Sequence, residues 1–293
     1  MKKYICEFMK EQAFPKEAVT CLCDAFEVLK DDKEFIFLLE SFYSDETINI
    51  DGEKGPLFPI AERNGQNFYT AKLLFYICLS KDLKKEYLKA GFDEEFWREN
   101  MADLHCKMME CFNVHSIWGI FSAGWFCSVF RMKTFTLGRM CYNTGIYDGE
   151  DICVGGRTVT KGDEFISIHI PSTGKPFDRE MRLTSYRRAY EFFKISLFRC
   201  DSWLLYPKNK DILDKSSNIV SFMEDFKLIK SYEYPDDRIM WRVFGDKYLL
   251  EYKDLPRNSS LRRAYADLLC RGERPGSGLG FFIYDFENNT TLV

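Results

Sequence analysis

His169 is the residue whose type and setting best suit proton transfer. It is one of three histidines in a chain of 293 residues, it ends the run EFISIH, and the loop PSTGKPF follows two residues later. An imidazole titrates near neutral pH, so it can take a proton from a nucleophile under ordinary conditions. Over residues 165–170 the alternation places Ile166, Ile168 and Ile170 on one face and Phe165, Ser167 and His169 on the other, which predicts a strand with His169 at its carboxyl end. Glu164 is a second candidate base. It lies five residues earlier, roughly 16 Å away along an extended chain, so the two serve opposite ends of the strand. Pro171 ends the strand. Tyr186, Ala189, Tyr190 and Phe193 then recur at helical spacing. A helix N-terminus presents unpaired N–H groups, and glycine lets backbone approach a ligand closely. The loop residues Ile170, Ser172, Thr173, Gly174 and Lys175, with two hydroxyls and an ammonium among them, are therefore a candidate phosphate cradle.

Other reactive residue types fit structural roles. The eleven cysteines are scattered through apolar segments without a C-x-x-C pair, and they read as reduced, mostly buried small hydrophobes. His105, His115 and His169 lack metal-ligand spacing, so no metal is expected. Arg187 and Arg188 can meet a nucleotide phosphate or simply be solvated on the outer face of a helix. RPGSGLG resembles a dinucleotide fingerprint only superficially. It follows a helix and precedes a strand, the reverse of the required context, and reads as a loop.

The elements that must position these groups divide the chain in two. Hydrophobic residues make up 46% and charged residues 29%, enough for a large interior with a solvated surface. A helical N-terminal domain is expected over residues 1–132 and a mixed domain over residues 133–293. Helices are predicted around residues 17–30, 71–79 and 93–112, the last capped by Asp93. A Gly- and Pro-dense loop is expected over residues 51–65, and a helix buried all round over residues 116–132. Short β-type runs follow residue 135. Residues 203–206 then suit a central strand, a helix capped by Ser216 or Ser217 comes next, and residues 238–252 read as a hairpin turning at Gly245. The last helix runs from about Ser259 to Arg271, and GFFIYDF closes the chain as a strand. The formal charge of −4 argues against a nucleic-acid partner. The absence of a long apolar run argues against a membrane span or signal peptide, which leaves a cytoplasmic protein as the expectation.

The order strand, loop, helix, strand, helix and terminal β-pair from about residue 164 to 252 resembles the GNAT acyltransferase fold. The run SNIVSFMEDFKLIKSYEYPDDRIMWRVFG carries that likeness furthest. The motifs HIPSTG and SWLL followed by SNI are similar to a bacterial family of two-domain acyltransferase-like proteins with a helical N-terminal domain. The resemblance implies an α+β fold, with a GNAT-like mixed sheet flanked by helices, and acyl-CoA or acetyl-CoA as co-substrate held by the loop after His169. It also implies N-acylation of a small amine acceptor, with His169 or Glu164 as base. The family's general-acid tyrosine falls at Met223, which leaves Tyr186 or Tyr190 to supply such a group. A catalytically degenerate ligand-binding or regulatory module of the same fold is the alternative.

Overall fold

A computed structural model describes residues 1–50, 55–122 and 124–293. Its contacts divide the chain into two compact units, Met1–Thr134 and Phe135–Val293.

The first unit is helical. Its elements are α1 (Lys2–Glu11), α2 (Lys16–Leu29), α3 (Lys33–Ser41), α4 (Leu57–Arg63), α5 (Phe68–Lys89), α6 (Glu94–His115) and α7 (Phe126–Phe130). Side-chain caps fix three of the starts: Asp32 accepts from the Glu34 and Phe35 amides, Asn67 from those of Tyr69 and Thr70, and Asp93 from that of Phe96. Every residue of α5 from Thr70 to Ser80 is buried, so α5 is the helix surrounded by the others. The helix expected over residues 116–132 does not fill that role. Ser116 adopts a left-handed conformation (φ 57°) that ends α6, and the backbone at Gly119 packs on that of Tyr69 too closely for a side chain. Among the described residues from 116 to 132, only the short α7 is helical. The loop expected over residues 51–65 is also corrected, because Leu57, Ile60 and Ala61 bury one face of α4 within it. Residues 51–54 of that segment, like residue 123 of the other, lie outside the described residues.

Apart from Thr134 at the start of β1, the second unit holds β1 (Thr134–Leu137), β2 (Met140–Ile146), β3 (Ile152–Val154), β4 (Arg157–Val159), β5 (Glu164–His169), α8 (Arg179–Phe193), β6 (Leu197–Ser202), α9 (Asn209–Ile212), α10 (Asn218–Met223), β7 (Lys227–Glu233), α11 (Trp241–Phe244), α12 (Ser260–Cys270), β8 (Gly276–Asp285) and β9 (Thr290–Leu292). Seven strands form one mixed sheet in the order β1-β2-β5-β6-β8-β7, with β9 added to β8, and β3 and β4 form a separate hairpin. The β5–β6 pair is parallel, linked by α8, while the other registered pairs are antiparallel. The architecture is α+β, with a helical first part and a GNAT-like mixed sheet in the second.

Alternation along the strands decides which side each layer covers. Tyr142, Phe198 and Phe282 face α8, where Tyr142 donates to Ser185 (2.8 Å), the Phe198 and Phe282 rings stack 4.8 Å apart, and Tyr186 packs on both. On the opposite side the β3–β4 hairpin sets Val154 and Val159 against Phe165, Leu197 and Phe281.

Three segments differ from the sequence reading. Trp203–Leu205 is a 3-10 turn after β6, capped by Ser202, and not a central strand. The glycines of RPGSGLG lie inside β8 and not in a loop, because a Cβ at Gly276 or Gly278 would collide with the Tyr206 ring or the Leu205 carbonyl. The turn at residues 203–206 can lie on the sheet only where side chains are missing. The predicted hairpin over residues 238–252 is a set of helical turns, whose Met240, Val243 and Phe244 pack with Tyr265 and Leu268 of α12. The strand in this region is β7. It is an edge strand, exposed on almost every residue, and its lysines Lys227 and Lys230 discourage further pairing.

Candidate active site at the end of strand β5

The candidate site forms where β5 and β6 part. Their parallel register covers Ile166–Phe198 and Ser167–Arg199. Both strands continue beyond it, β5 to His169 and β6 to Ser202. At the fork the Cys200 thiol lies 3.9 Å from the Ile168 carbonyl, a weak S–H···O contact between the two strands. Parallel strands that separate expose edge N–H and C=O groups, which a ligand can pair with.

His169 occupies the β5 side of this fork and is half-buried. Its Nε2 lies 2.7 Å from Asn143 Oδ1 on β2. The antiparallel register sets Asn143 opposite Ser167 and Cys141 opposite His169, so Asn143 and His169 share the face away from α8. Asn143 Nδ2 donates to the Thr144 carbonyl at 3.2 Å, which orients the amide with Oδ1 toward the ring. An acceptor at Nε2 suits the tautomer that carries the ring proton there. Glu164, at the exposed start of β5 opposite Ile146, is on the other face and at the other end. The structure does not bring it to His169.

The loop from Ile170 to the start of α8 is held from beneath by two buried arginines. Arg139 donates to the Pro171 carbonyl (2.8 Å) and the Pro176 carbonyl (3.2 Å). Arg182, wholly buried, donates to the Phe177 carbonyl (3.1 Å), to the Ser221 carbonyl and hydroxyl (3.0 and 3.1 Å) and to Asp225 Oδ2 (2.6 Å). Three loop carbonyls are thus turned inward. Within the loop the Thr173 amide donates to the Pro171 carbonyl (2.9 Å) and the Lys175 amide to Thr173 Oγ1 (3.2 Å). Ser172, Gly174 and Lys175 are exposed, Ile170 and Thr173 half-buried. Gly174 has φ +67° with open space around it, so backbone conformation, and not crowding, requires glycine there. Asp178 caps α8 by accepting from the Met181 amide (3.0 Å). One N-terminal donor of the helix is thereby occupied, and the groups turned outward are the Ser172 hydroxyl, the Gly174 backbone and the Lys175 ammonium.

Neither tyrosine proposed as an acid reaches the fork. Tyr186 is buried, donates to Asp225 Oδ2 at 3.1 Å, and has its phenol pushed well above the ordinary range by burial. Tyr190 packs on the rings of Tyr284 and Phe286. Arg187 lies 4.7 Å over the Phe286 ring and donates to its carbonyl. The sequence reading missed Asn143, Arg139 and Arg182. Arg182 had a visible signal, since it falls one turn before Tyr186 on the apolar stripe of α8.

The sequence matches two family models: N-acyltransferase N-terminal domain over residues 4–132, and GNAT-like C-terminal domain over residues 134–282. No match was found among curated proteins. Similar solved structures include one described as an acyltransferase in complex with decanoyl-CoA and teicoplanin, which is 19% identical with a TM-score of 0.75. A second, a single-substitution acyltransferase mutant in complex with octanoyl-CoA, is 19% identical with a TM-score of 0.76. A third, an acyltransferase in complex with decanoyl-CoA, is 21% identical with a TM-score of 0.74. Each alignment covers 94% of this chain and 86% of the other. At these identities the likeness establishes the fold. The GNAT-like C-terminal model spans just over half of the chain and the N-acyltransferase N-terminal model most of the rest, and the chain therefore belongs to the GNAT-like acyltransferase family that couples these two domains.

Proposed function

We propose that the protein transfers the acyl group of an acyl-CoA to the amine nitrogen of a small-molecule or glycopeptide acceptor. The observation that carries this reading is the parting of β5 and β6 beside His169, in a chain of the GNAT-like acyltransferase family. The relatives described with decanoyl- and octanoyl-CoA favour a medium-length acyl chain, and the one described with teicoplanin favours an extended acceptor. The same family membership favours a transferase over a degenerate binding module.

In this mechanism the edge groups freed at the fork hold the acyl-pantetheine arm, and Ser172, Gly174 and Lys175 meet the pyrophosphate. Lys175 supplies a point charge and Gly174 permits close approach of the main chain. The imidazole of His169, positioned by Asn143 through Nε2, takes the proton of the attacking amine directly or through water. The nitrogen attacks the thioester carbon, the C–S bond breaks, and the CoA thiolate leaves and takes up a proton. Fixing the ring through Nε2 costs the base no reorientation at the moment of transfer.

Calorimetric titration of the full chain with acetyl-, octanoyl- and decanoyl-CoA tests the co-substrate. Saturable micromolar binding, weakened by Lys175→Ala, is expected. No binding of any of the three at millimolar concentration would remove the proposal's support.

A further inference from the structure

Far from β5 in the sequence, α1 and α2 bring two thiols together. Cys6 Sγ and Cys23 Sγ stand 3.1 Å apart, and both cysteines are free in this structure. A disulfide brings its sulfurs to about 2.05 Å, so roughly 1 Å of further approach completes the bond. The two helices pack on each other, separated only by residues 12–15. Cys6 is partly exposed, whereas Cys23 is buried and its thiol is pushed up to about 11, chiefly by that burial. The Lys2 ammonium, held by Glu27 at 2.7 Å, belongs to α1 one turn before Cys6. One accessible thiol, one sheltered thiol in contact with it, and a neighbouring cation make an entry sulfur and a resolving sulfur.

We infer that Cys6 and Cys23 form a reversible dithiol–disulfide pair that staples α1 to α2 and is oxidised by small disulfides of the glutathione class. In the first step the Cys6 thiolate attacks one sulfur of oxidised glutathione, a mixed disulfide forms, and one glutathione thiolate leaves. In the second, Cys23 gives up its proton and attacks the Cys6 sulfur, expelling the second glutathione. The two protons lost by the protein are carried by the two reduced glutathiones, so two cysteines are oxidised and one disulfide is reduced. Cys153 and Cys270 are exposed, but they lie on β3 and at the end of α12, so each offers only a mixed disulfide. The new bond closes a short loop in the chain. It reinforces an attachment already made by the Tyr4 hydroxyl to Ser80 of α5 (2.7 Å).

The test equilibrates the full-length protein with mixtures of oxidised and reduced glutathione, blocks remaining thiols by alkylation, and maps peptides without reduction. The expected result is a Cys6–Cys23 linked peptide that disappears on adding reduced glutathione. Oxidation should also raise the melting temperature of the unit holding α1 and α2 by about 5 °C or more. Cys23→Ser should trap glutathione on Cys6, while Cys6→Ser should leave Cys23 unmodified under the same conditions. A wild-type protein that retains glutathione on Cys6 with no linked peptide, or links another pair in preference, overturns the inference. An oxidised form that melts no higher than the reduced form overturns the staple.

Discussion

Replacing Asp225 with alanine tests the support under the candidate site. The Arg182 side chain is fully buried and that of Asp225 nearly so, with Arg182 Nε 2.6 Å from Asp225 Oδ2. Tyr186 donates to the same oxygen. In Asp225→Ala the guanidinium keeps its neutral acceptors at Phe177 and Ser221 but has no counter-charge, and the Tyr186 hydroxyl loses its acceptor. Removing one partner of a buried ion pair costs about 3–5 kcal/mol, because the remaining charge stays out of water unpaired. For a unit of this size that corresponds to a fall of about 6–20 °C in melting temperature. Scanning calorimetry of the full chain measures it as a shift of the second unit's transition. The pair also anchors the Phe177 carbonyl at the end of the loop, so the loop between β5 and α8 should become more open to proteolysis. The double variant Arg182→Met with Asp225→Leu removes both charges together and should recover most of the loss, since apolar replacements of buried pairs are often neutral. If Asp225→Ala lowers the transition by less than about 2 °C, the buried pair is not what holds the loop down, and the reasoning fails.

Other perturbations separate further parts of the account. Burial raises the Asp103 carboxyl from 3.8 to about 6, and Asp103 Oδ1 accepts no hydrogen bond among the described residues. The native state therefore holds the extra proton between those values, and stability rises as pH falls from about 6 toward 4. Asp103→Asn should accordingly add on the order of 2–3 kcal/mol at pH 8 and almost nothing near pH 4, read by urea unfolding at the two pH values. Gly278→Ala forces a methyl group against the Leu205 carbonyl and the Leu228 side chain, so it should cost about 3 kcal/mol or more, measured by thermal melting; an unchanged melting temperature would contradict the packing of residues 203–206 on β8. Asn143→Leu removes the acceptor at His169 Nε2 and should lower kcat for acyl transfer about 3- to 10-fold with little change in KM for acyl-CoA; a change confined to KM would place Asn143 in binding instead.

What the sequence made legible and what it left hidden separate along one physical line. β5, α8 and the caps at Asp93 and Ser217 could be read because alternation, helical spacing and cap chemistry are local. The expectation that His169 ends a strand beside a glycine-bearing loop rests on the same local signals. Asn143 could not be found this way. It reaches His169 only through the β2–β5 register, across 26 residues of chain. β7 has neither alternation nor burial to betray it, because it is an edge strand pairing on one side. The glycines of β8 look like turn residues, yet their role is to leave room for residues 203–206, a contact between segments some 70 residues apart. Arg182 was hidden for the opposite reason. A charged residue on an apolar stripe is discounted when helices are read by periodicity, although its position there is what gives it a buried partner.

Acyl transfer with His169 as base is read most directly by amine-dependent release of CoA from decanoyl-CoA, followed with a thiol reagent in wild type and in His169→Gln. Release is expected to require an amine and to yield an N-acyl product by mass spectrometry. In His169→Gln the turnover number should fall about 10²- to 10⁴-fold while decanoyl-CoA still binds. Turnover undiminished in that variant would contradict the assignment of His169, and the absence of amine-dependent release over a broad acceptor panel, with acyl-CoA bound, would contradict acyl transfer to amines.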